Sequence, residues 1–370
     1  MIKLITQTGL KPKKPDWVLA LAAVTLTFIG VIMVYNASVV EAYDLFADKY
    51  YFLKLQSLWA VLGLTALIFT TFVPLSWLKS LAAPILAINV LLLIAVLIPG
   101  IGTLSFGARR WINLGSFSLQ PTELIKLSLG IYLAAWLSKA RSFWLYLIIL
   151  GVILGLVMLQ PDLGTAIVIV VSGFLVYFAS GAPLFYISAF GTLGGLAGLG
   201  LIFSSEYRKA RVLTFLNPQS DPLGSSYHVR QALIAIGSGG FWGLGLGQSR
   251  QKYQFLPQAT TDSIFAIIAE ETGFIGAAIV IILLFLVVSR ALKIAKAAPD
   301  NFSRLLAVAI ACWIGIQSLI NLAAMLSLLP LTGVPLPFIS YGGSSLIVTL
   351  AAVGLLLNIS RYRLGVKHAR

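Results

Sequence analysis

Apolar runs long enough to cross a lipid bilayer recur along almost the whole chain. A spanning helix needs roughly 17 to 25 residues of this kind. Hydrophobic residues make up 59% of the sequence and charged residues only 10%, which is outside the range of soluble domains. The sequence therefore predicts an all-α polytopic membrane protein, with one membrane domain over residues 1–370. About ten helices are predicted, at 17–37, 53–73, 80–98, 122–138, 143–159, 162–180, 183–203, 263–289, 303–325 and 342–360.

The distribution of lysine and arginine predicts the orientation in the membrane. Basic residues of the N-terminal segment, of the short even-numbered connections and of the C-terminal tail fall on one side if ten spans alternate. By the positive-inside rule, this side is the cytoplasm. Both termini are then cytoplasmic, and the long connection 204–262 between helices seven and eight is extracytoplasmic. The net charge of +14 thus needs no nucleic-acid partner.

The connection 204–262 is the one long polar stretch, and it is strongly basic. Long loops escape the positive-inside rule, so its cations indicate an anionic ligand. Cations can hold a phosphate group while a carboxylate accepts a proton. The pattern therefore indicates a transfer reaction on a phosphate-bearing substrate. Its charged residues are Arg208, Lys209, Arg211, Arg230, Arg250 and Lys252 against the acids Glu206, Asp221 and Asp262.

Asp262 stands directly before the eighth predicted helix. It can cap the first amides of that helix, or, as a carboxylate of ordinary acidity that is ionised at neutral pH, it can act as a base. Glu270 and Glu271 follow about two turns deeper. Two adjacent acids inside a span are more than packing requires, because buried charge is costly in a membrane.

Other charged residues lie at the ends of predicted spans. Arg110 follows a turn at Gly107, and its guanidinium suits phosphate oxygens. Glu123 and Lys126 share one helix face, either as a buried ion pair that ties helices together or as part of a substrate path. Asp162 either caps helix six or belongs to the site.

Two stretches are not expected to form regular spanning helices. A short helix is expected at 227–236 inside the long connection, and the glycines that follow lack a P-loop pattern. They indicate a cavity lining or a close helix approach. Prolines and glycines forbid a regular helix at 329–345, which contains Ser340, Gly342 and Gly343. Such backbone survives in a membrane only where protein or a water-filled cavity covers it, so it is expected to form one wall of the site.

Five motifs together resemble the shape, elongation, division and sporulation (SEDS) family, the FtsW and RodA type of peptidoglycan polymerase. The likeness covers nearly the whole chain in order. The stretches GLGQSRQK, GARRWINLG and LLLNISR are more similar to FtsW, the division type, than to RodA. The motifs are QPDLGT at 160–165, DPLG at 221–224, AIGSGG at 235–240, Thr261 and Asp262 before AIIAEE, and TGVPLPFISYGGSS at 332–345.

The resemblance implies that the chain polymerises glycan strands from lipid II at the outer face of a bacterial cytoplasmic membrane. The essential aspartate of the family matches Asp262, in the role of general base. The preceding residue is often His in the family and is Thr261 here, and Ser263 stands where Phe is common. QPSE of the family reads QPTE at 120–123.

A single carboxylate suits this chemistry. Asp262 would take the proton from the GlcNAc 4-hydroxyl, which attacks the anomeric carbon of MurNAc with inversion. The polyprenyl diphosphate leaves as a stable anion, so no second carboxylic acid is needed. The sequence assigns no cofactor and leaves open a divalent cation, Mg²⁺ or Mn²⁺, at the diphosphate. The expected substrate-binding residues are Arg110, Glu123, Lys126, Asp162, Arg208, Arg211, Lys252, Ser340, Gly342 and Gly343.

Two alternatives come from other classes: a lipid II flippase and a scaffold for division partners. A third alternative keeps the activity and is a polymerase of the RodA elongation type. A flippase also needs a basic cavity and broken helices, but it needs no base at a helix start. A scaffold leaves the buried charges unexplained. The resemblance also implies a class B penicillin-binding protein, a single-span transpeptidase, and other division proteins as partners.

Overall fold

The computed structural model describes residues 12–183 and 226–362, apart from the single positions 106, 114, 116, 140, 141 and 254, together with isolated positions between 184 and 225. Most of the predicted seventh span, 183–203, lies outside the described residues. Arg208 and Arg211 also lie outside them.

The described chain is mainly helical, and each predicted span other than the seventh is found. Five described helices, α1, α2, α9, α10 and α11, are long and apolar enough to cross a membrane, and α4, α6 and α7 are shorter apolar helices. The bounds are α1 Trp17–Phe46, α2 Tyr51–Phe72, α3 Leu75–Ser80, α4 Ala82–Ala95, α5 Pro121–Leu137, α6 Phe143–Met158, α7 Leu163–Ala179, α8 Tyr227–Ser238, α9 Ile264–Lys296, α10 Asn301–Met325 and α11 Gly343–Arg361.

The start of α1 joins three helices. Asp16 caps α1 by accepting a hydrogen bond from Leu19 N at 3.1 Å. Its carboxylate also pairs with Arg290 of α9, with 2.6 Å between Oδ2 and Nη2, and its N–H donates to Ser360 Oγ of α11 at 3.0 Å. One capping residue therefore fixes the relative positions of α1, α9 and α11 at this end of the bundle.

A small antiparallel sheet lies between α4 and α5, where the sequence predicted only a turn. Its strands are β1 Gly102–Ser105, β2 Ala108–Asn113 and β3 Ser118–Leu119, in the order β1-β2-β3. Gly107 has a positive φ of 76° between β1 and β2, as a tight turn requires. Strands this short carry too few residues for a period-2 pattern to reveal them. The sheet carries Arg110 on its middle strand.

The long helix α9 is broken at Gly273, whose φ of 66° and ψ of −164° are not helical. The part after the break, Phe274 to Lys296, rises about 34 Å, which by itself exceeds a hydrocarbon core of about 30 Å. Glu270 and Glu271 precede this part. The sequence placed them inside one predicted span, and the structure shows that the helix is interrupted two residues after Glu271.

Close packing of small residues joins α2 to α11. A Cβ added to Gly354 would lie 2.3 Å from Leu67 O, and one added to Gly63 would lie 2.6 Å from Leu350 Cδ1. Thr70 Oγ1 also donates to Ala351 O at 2.9 Å. Glycines that admit a neighbouring helix in this way are typical of membrane proteins. The pair α2 and α11 supports the connection that precedes α11.

Candidate active site

The main chain before Asp262 accepts hydrogen bonds from the connection between α10 and α11. Tyr341 N donates to Thr260 O at 2.9 Å, and Ser340 Oγ donates to Thr261 O at 2.6 Å. Ser340 Oγ in turn accepts from Leu336 N at 2.8 Å. Hydrogen bonds to two consecutive carbonyl groups therefore fix the segment that leads into α9.

Asp262 lies between this segment and the start of α9. Asn321 Nδ2 of α10 donates to Asp262 O at 2.8 Å. The N-cap position of α9 is Ser263, so Asp262 is one residue outside the cap. Its side chain is partly exposed. A Cβ added to Gly333 would lie 3.3 Å from Asp262 Oδ2, so glycine there lets the opposite backbone come close to the carboxylate.

The connection 326–342 forms a wall of irregular backbone beside Asp262, as the prolines and glycines predicted. Side chains of α10 bind its carbonyl groups. Asn321 Nδ2 donates to Val334 O at 2.8 Å, and Gln317 Nε2 donates to Pro335 O at 2.9 Å. Backbone that cannot form helical hydrogen bonds is thus satisfied by amide side chains.

Glu123 and Lys126 form the expected ion pair on α5, with 2.7 Å between Oε1 and Nζ and each side chain only 2% exposed. Lys126 Nζ also donates to Gln317 Oε1 at 2.7 Å, and Trp313 Nε1 donates to the same oxygen at 2.8 Å. The pair therefore orients the side-chain amide of Gln317, which binds the wall through Pro335 O. Glu123 Oε2 is buried and has no hydrogen-bond partner among the described residues.

Arg110 and Asp162 each bind main-chain groups around the connection between α6 and α7. Arg110 Nε donates to Gln160 O at 2.9 Å and its Nη2 donates to Pro161 O at 2.5 Å, which uses two of the five N–H donors of a guanidinium. Asp162 caps α7 by accepting from Thr165 N at 3.0 Å, so the capping interpretation is confirmed. Gly164 packs against Thr332 O of the wall, 2.6 Å from an added Cβ.

Lys252 belongs to the interior of the connection that precedes α9. Its side chain is 5% exposed, its Nζ lies 3.8 Å from Glu271 Oε1, and it donates to Gly247 O. The sequence predicted that Lys252 binds substrate, and the structure places its ammonium group against Glu271. The cations Arg230 and Arg250 are exposed.

Glu270 and Glu271 hold the glycine-rich segment 239–250 against the break in α9. Glu270 accepts from Ser249 Oγ at 2.5 Å and from Arg250 N at 3.0 Å. Glu271 accepts from Ser249 N at 3.3 Å and from Asn36 Nδ2 at 3.1 Å. The two acids thus satisfy loop donors. Close approach, one of the two interpretations of the glycines, is found at Gly239, Gly243 and Gly273.

The two glycines at the start of α11 differ in their surroundings. A Cβ on Gly343 would lie 2.7 Å from the Trp59 ring, whereas one on Gly342 would meet no atom closer than 3.8 Å, at Ser345 Cβ.

Tyr341, the residue before these glycines, stays a neutral phenol. Burial, with smaller contributions from Tyr51 and Glu41, raises its pKa to about 12.

Sequence reasoning missed the hydrogen bond between His228 Nε2 and Ser263 Oγ, which are 2.6 Å apart. It also did not assign the roles of Asn321 and Gln317 as supports of the wall. These contacts join positions that are far apart in the sequence, and no local pattern indicates them. The unusual Ser263 beside Asp262 was the one available signal.

The helices and the irregular wall define the class: this is a polytopic α-helical membrane protein with a partly exposed carboxylate held at a helix start. The family profile FTSW_RODA_SPOVE, described as "Cell cycle protein", matches residues 16–364. The chain belongs to this family.

Two named relatives align with nearly the whole chain. Stage V sporulation protein E of Bacillus subtilis (strain 168) is 42% identical over 95% of this chain and 98% of its own length. The "Probable peptidoglycan glycosyltransferase FtsW" of Trichlorobacter lovleyi is 42% identical over 93% of each chain. The expected similarity to the FtsW type is confirmed.

Solved structures support the same fold. A chain of a peptidoglycan synthase complex, described as coordinating polymerization and crosslinking, superposes with a TM-score of 0.78 at 31% identity and covers 94% of this chain and 98% of that one. Rod shape determining protein RodA of Thermus thermophilus has a TM-score of 0.70 at 31% identity, over 95% of this chain and 98% of RodA.

Proposed function

We propose that this chain is a peptidoglycan glycosyltransferase that polymerises lipid II into glycan strands for septal cell-wall synthesis. Relatives named as FtsW glycosyltransferases, about 40% identical over most of the chain, support the activity. The observation that carries the proposal is the position of Asp262, a partly exposed residue whose carbonyl oxygen accepts from Asn321 of α10 and whose preceding residue, Thr261, accepts from Ser340 of the wall.

In this proposal Asp262 is the general base of an inverting transfer. It accepts the proton of the GlcNAc 4-hydroxyl as that oxygen forms a bond to the anomeric carbon of MurNAc. The bond from that carbon to the diphosphate breaks, and the polyprenyl diphosphate leaves with the electron pair. Since this leaving group is already a stable anion, no general acid is needed. A fixed main chain helps, because a base must lie within hydrogen-bond reach of its proton.

Basic residues are proposed to stabilise the diphosphate. Arg110 keeps three N–H donors beyond its two carbonyl contacts. Arg208 and Arg211 stay in the proposal from the sequence alone. Glu123 is included because a buried carboxylate oxygen without a partner is costly unless another group binds it. Lys126, Asp162 and Ser340 support the backbone around the site, and Gly342 and Gly343 allow close approach at the wall.

The proposed location is a bacterial cytoplasmic membrane, with both termini inside, residues 1–370 acting as one membrane domain and Asp262 at the outer face. The positive-inside argument supports this orientation. The proposed partners are lipid II, a class B penicillin-binding protein and other division proteins. The similarity to a chain of a solved peptidoglycan synthase complex supports the second of these.

A divalent cation, Mg²⁺ or Mn²⁺, belongs to the proposal only as a companion of the substrate. Among the described residues, no three His, Cys, Asp or Glu side chains are grouped so as to hold a metal ion. The diphosphate offers the oxygen ligands that these cations favour.

The test of the proposed function uses purified protein with labelled lipid II, alone and with its class B partner. We expect glycan chains from the wild type and none from Asp262→Asn, since the amide cannot accept the proton. Asp48→Asn, the same change at an exposed acid paired with Lys54, is the control and should remain active. Glycan chains from Asp262→Asn at the wild-type rate would exclude Asp262 as the base.

The flippase alternative predicts a different result in the same assay. Wild type and Asp262→Asn would both make no glycan, while both would still move lipid II between leaflets of a vesicle. A polymerase of the elongation type would make glycan in this assay, but it would fail to restore septation in cells that lack their division polymerase.

A further inference from the structure

We infer that His228 is a positioning residue for Asp262, acting through Ser263. This inference rests on the proposed function and adds to it a residue from a separate helix. His228 is the second residue of α8, and its Nε2 lies 2.6 Å from Ser263 Oγ at the start of α9. Ser263 follows Asp262 directly and is fully buried, at 0% exposure.

The hydrogen-bond geometry of Ser263 assigns a direction to this contact. Ser263 Oγ also lies 3.1 Å from Pro257 O, to which it donates. A hydroxyl group has one hydrogen, and a carbonyl oxygen can only accept. Both contacts are therefore satisfied together when His228 Nε2 carries a proton and donates to Ser263 Oγ. The imidazole thus completes the hydrogen bonding of a buried hydroxyl group beside the base.

The hydrogen bonds around Ser263 explain why this contact bears on Asp262. The side chain of Ser263 does not cap α9; its hydroxyl instead links His228 to Pro257. The carbonyl groups of Thr261 and of Asp262 itself accept hydrogen bonds from Ser340 and Asn321. Without the His228 contact, the residue after the base would keep its hydrogen bonds to Gln258 O and Pro257 O but would lose the one that comes from a separate helix.

Helix α8 is itself firmly attached, so His228 can transmit position. Val229, Ala232 and Ala235 are buried, and α8 packs against α9. At its other end, Gly239 approaches Ala269 O so closely that an added Cβ would lie 2.0 Å from that oxygen. The helix is thus held against α9 at both ends, and His228 is its contact at the end nearer the base.

The test compares a donor and a non-donor of similar size at position 228. Glutamine can place its Nε2 near the imidazole nitrogen and donate, whereas leucine cannot. We expect His228→Leu to lower kcat about 10- to 100-fold, as displacement of a catalytic group by about 1 Å does, with KM for lipid II and the thermal midpoint little changed. His228→Gln should retain most of the wild-type kcat. Leu233→Ala, an exposed change on α8, is the control.

Ser263→Ala tests the same contact from its other side. It removes only a hydroxyl group, so it keeps the test decisive if the leucine variant does not fold. We expect it to lower kcat as His228→Leu does, and the double variant to be no worse than either single variant. Losses that multiply in the double variant would contradict a shared pathway.

Three further outcomes overturn the inference. His228→Leu with wild-type kcat would remove the role of the contact. His228→Gln as impaired as His228→Leu, with both folded, would remove the role of the donor. An inactive wild type would overturn the proposed function as well, whereas an active wild type beside an unaffected His228→Leu overturns this inference alone.

Discussion

At the scale of single residues, the charged side chains near the site divide into groups with different roles. Asp262 is partly exposed. Glu270, Glu271 and Lys252 are buried: the ammonium group of Lys252 lies against Glu271, and both glutamates accept hydrogen bonds from the loop before α9. The sequence singled out Glu270 and Glu271 because charge inside a span is costly, and it singled out Lys252 as a cation of the polar connection. The structure buries these three side chains against the loop, whereas Asp262, the proposed base, is partly exposed.

The buried pair of Lys252 and Glu271 leads to a prediction about stability. Removing one partner leaves the other charge buried and uncompensated, so Lys252→Met or Glu271→Gln should each lower the unfolding free energy by about 3 to 5 kcal/mol. The double variant should recover much of this loss. Chemical denaturation in detergent micelles measures all three. If Lys252 instead serves only the substrate, Lys252→Met would unfold as the wild type does.

At the scale of elements, the segment from α8 to the break in α9 behaves as one unit. Gly239, Gly243 and Gly273 bring the loop backbone within contact distance of α9, and the glutamates bind its N–H groups. The helix break and the loop therefore depend on each other. The sequence predicted α8 from its spacing and irregular glycine backbone after it, but it did not reveal the element against which the glycines pack.

Two neighbouring glycines at the end of α8 test this packing. Gly239→Ala would place a methyl group 2.0 Å from Ala269 O, a backbone atom that cannot turn aside, whereas Gly237 has no atom within 4 Å of an added Cβ. We expect Gly239→Ala to destabilise the protein by about 1 to 3 kcal/mol. Gly237→Ala should be neutral or stabilise it by up to about 1 kcal/mol through helix propensity.

Thermal unfolding of both variants in the same detergent measures the difference. If the Gly239→Ala variant unfolds at the same temperature as Gly237→Ala, α8 does not need its close contact with α9. Limited proteolysis of the 239–250 segment provides a second readout, since a displaced loop is cut faster.

At the scale of the whole molecule, the irregular wall, the start of α9 and the α6–α7 connection come together at one end of the helix bundle. Gln317 and Asn321 of α10 bind the wall, and Arg110 binds the α6–α7 connection. Amide and guanidinium side chains thus replace the hydrogen bonds that broken backbone lacks. The rigid bundle positions the site, and the connections supply its groups.

The proposed orientation makes a prediction for the whole molecule. In a Cys312→Ala background, single cysteines at positions 48 and 250 should react with a membrane-impermeant thiol reagent added to intact cells. Cysteines at positions 79 and 300 should react only after the membrane is opened, because the proposed orientation places them at the basic, cytoplasmic end. Labelling of position 250 only in opened cells would place the Asp262 side in the cytoplasm and contradict the proposal.

The sequence by itself determined the membrane class, the helices of the spans other than the seventh, the short helix α8 and the irregular wall, and it supplied Asp262 as the proposed base. Span length and hydropathy are local properties, and Asp262 lies in a recognisable motif. Only the tertiary structure decided the β-sheet, the break at Gly273 and the contacts of Lys126 with Gln317, of Lys252 with Glu271 and of His228 with Ser263. The strands are too short for a local pattern to reveal them. The side-chain contacts join residues distant in sequence, where the geometry of packed helices determines which buried polar groups meet.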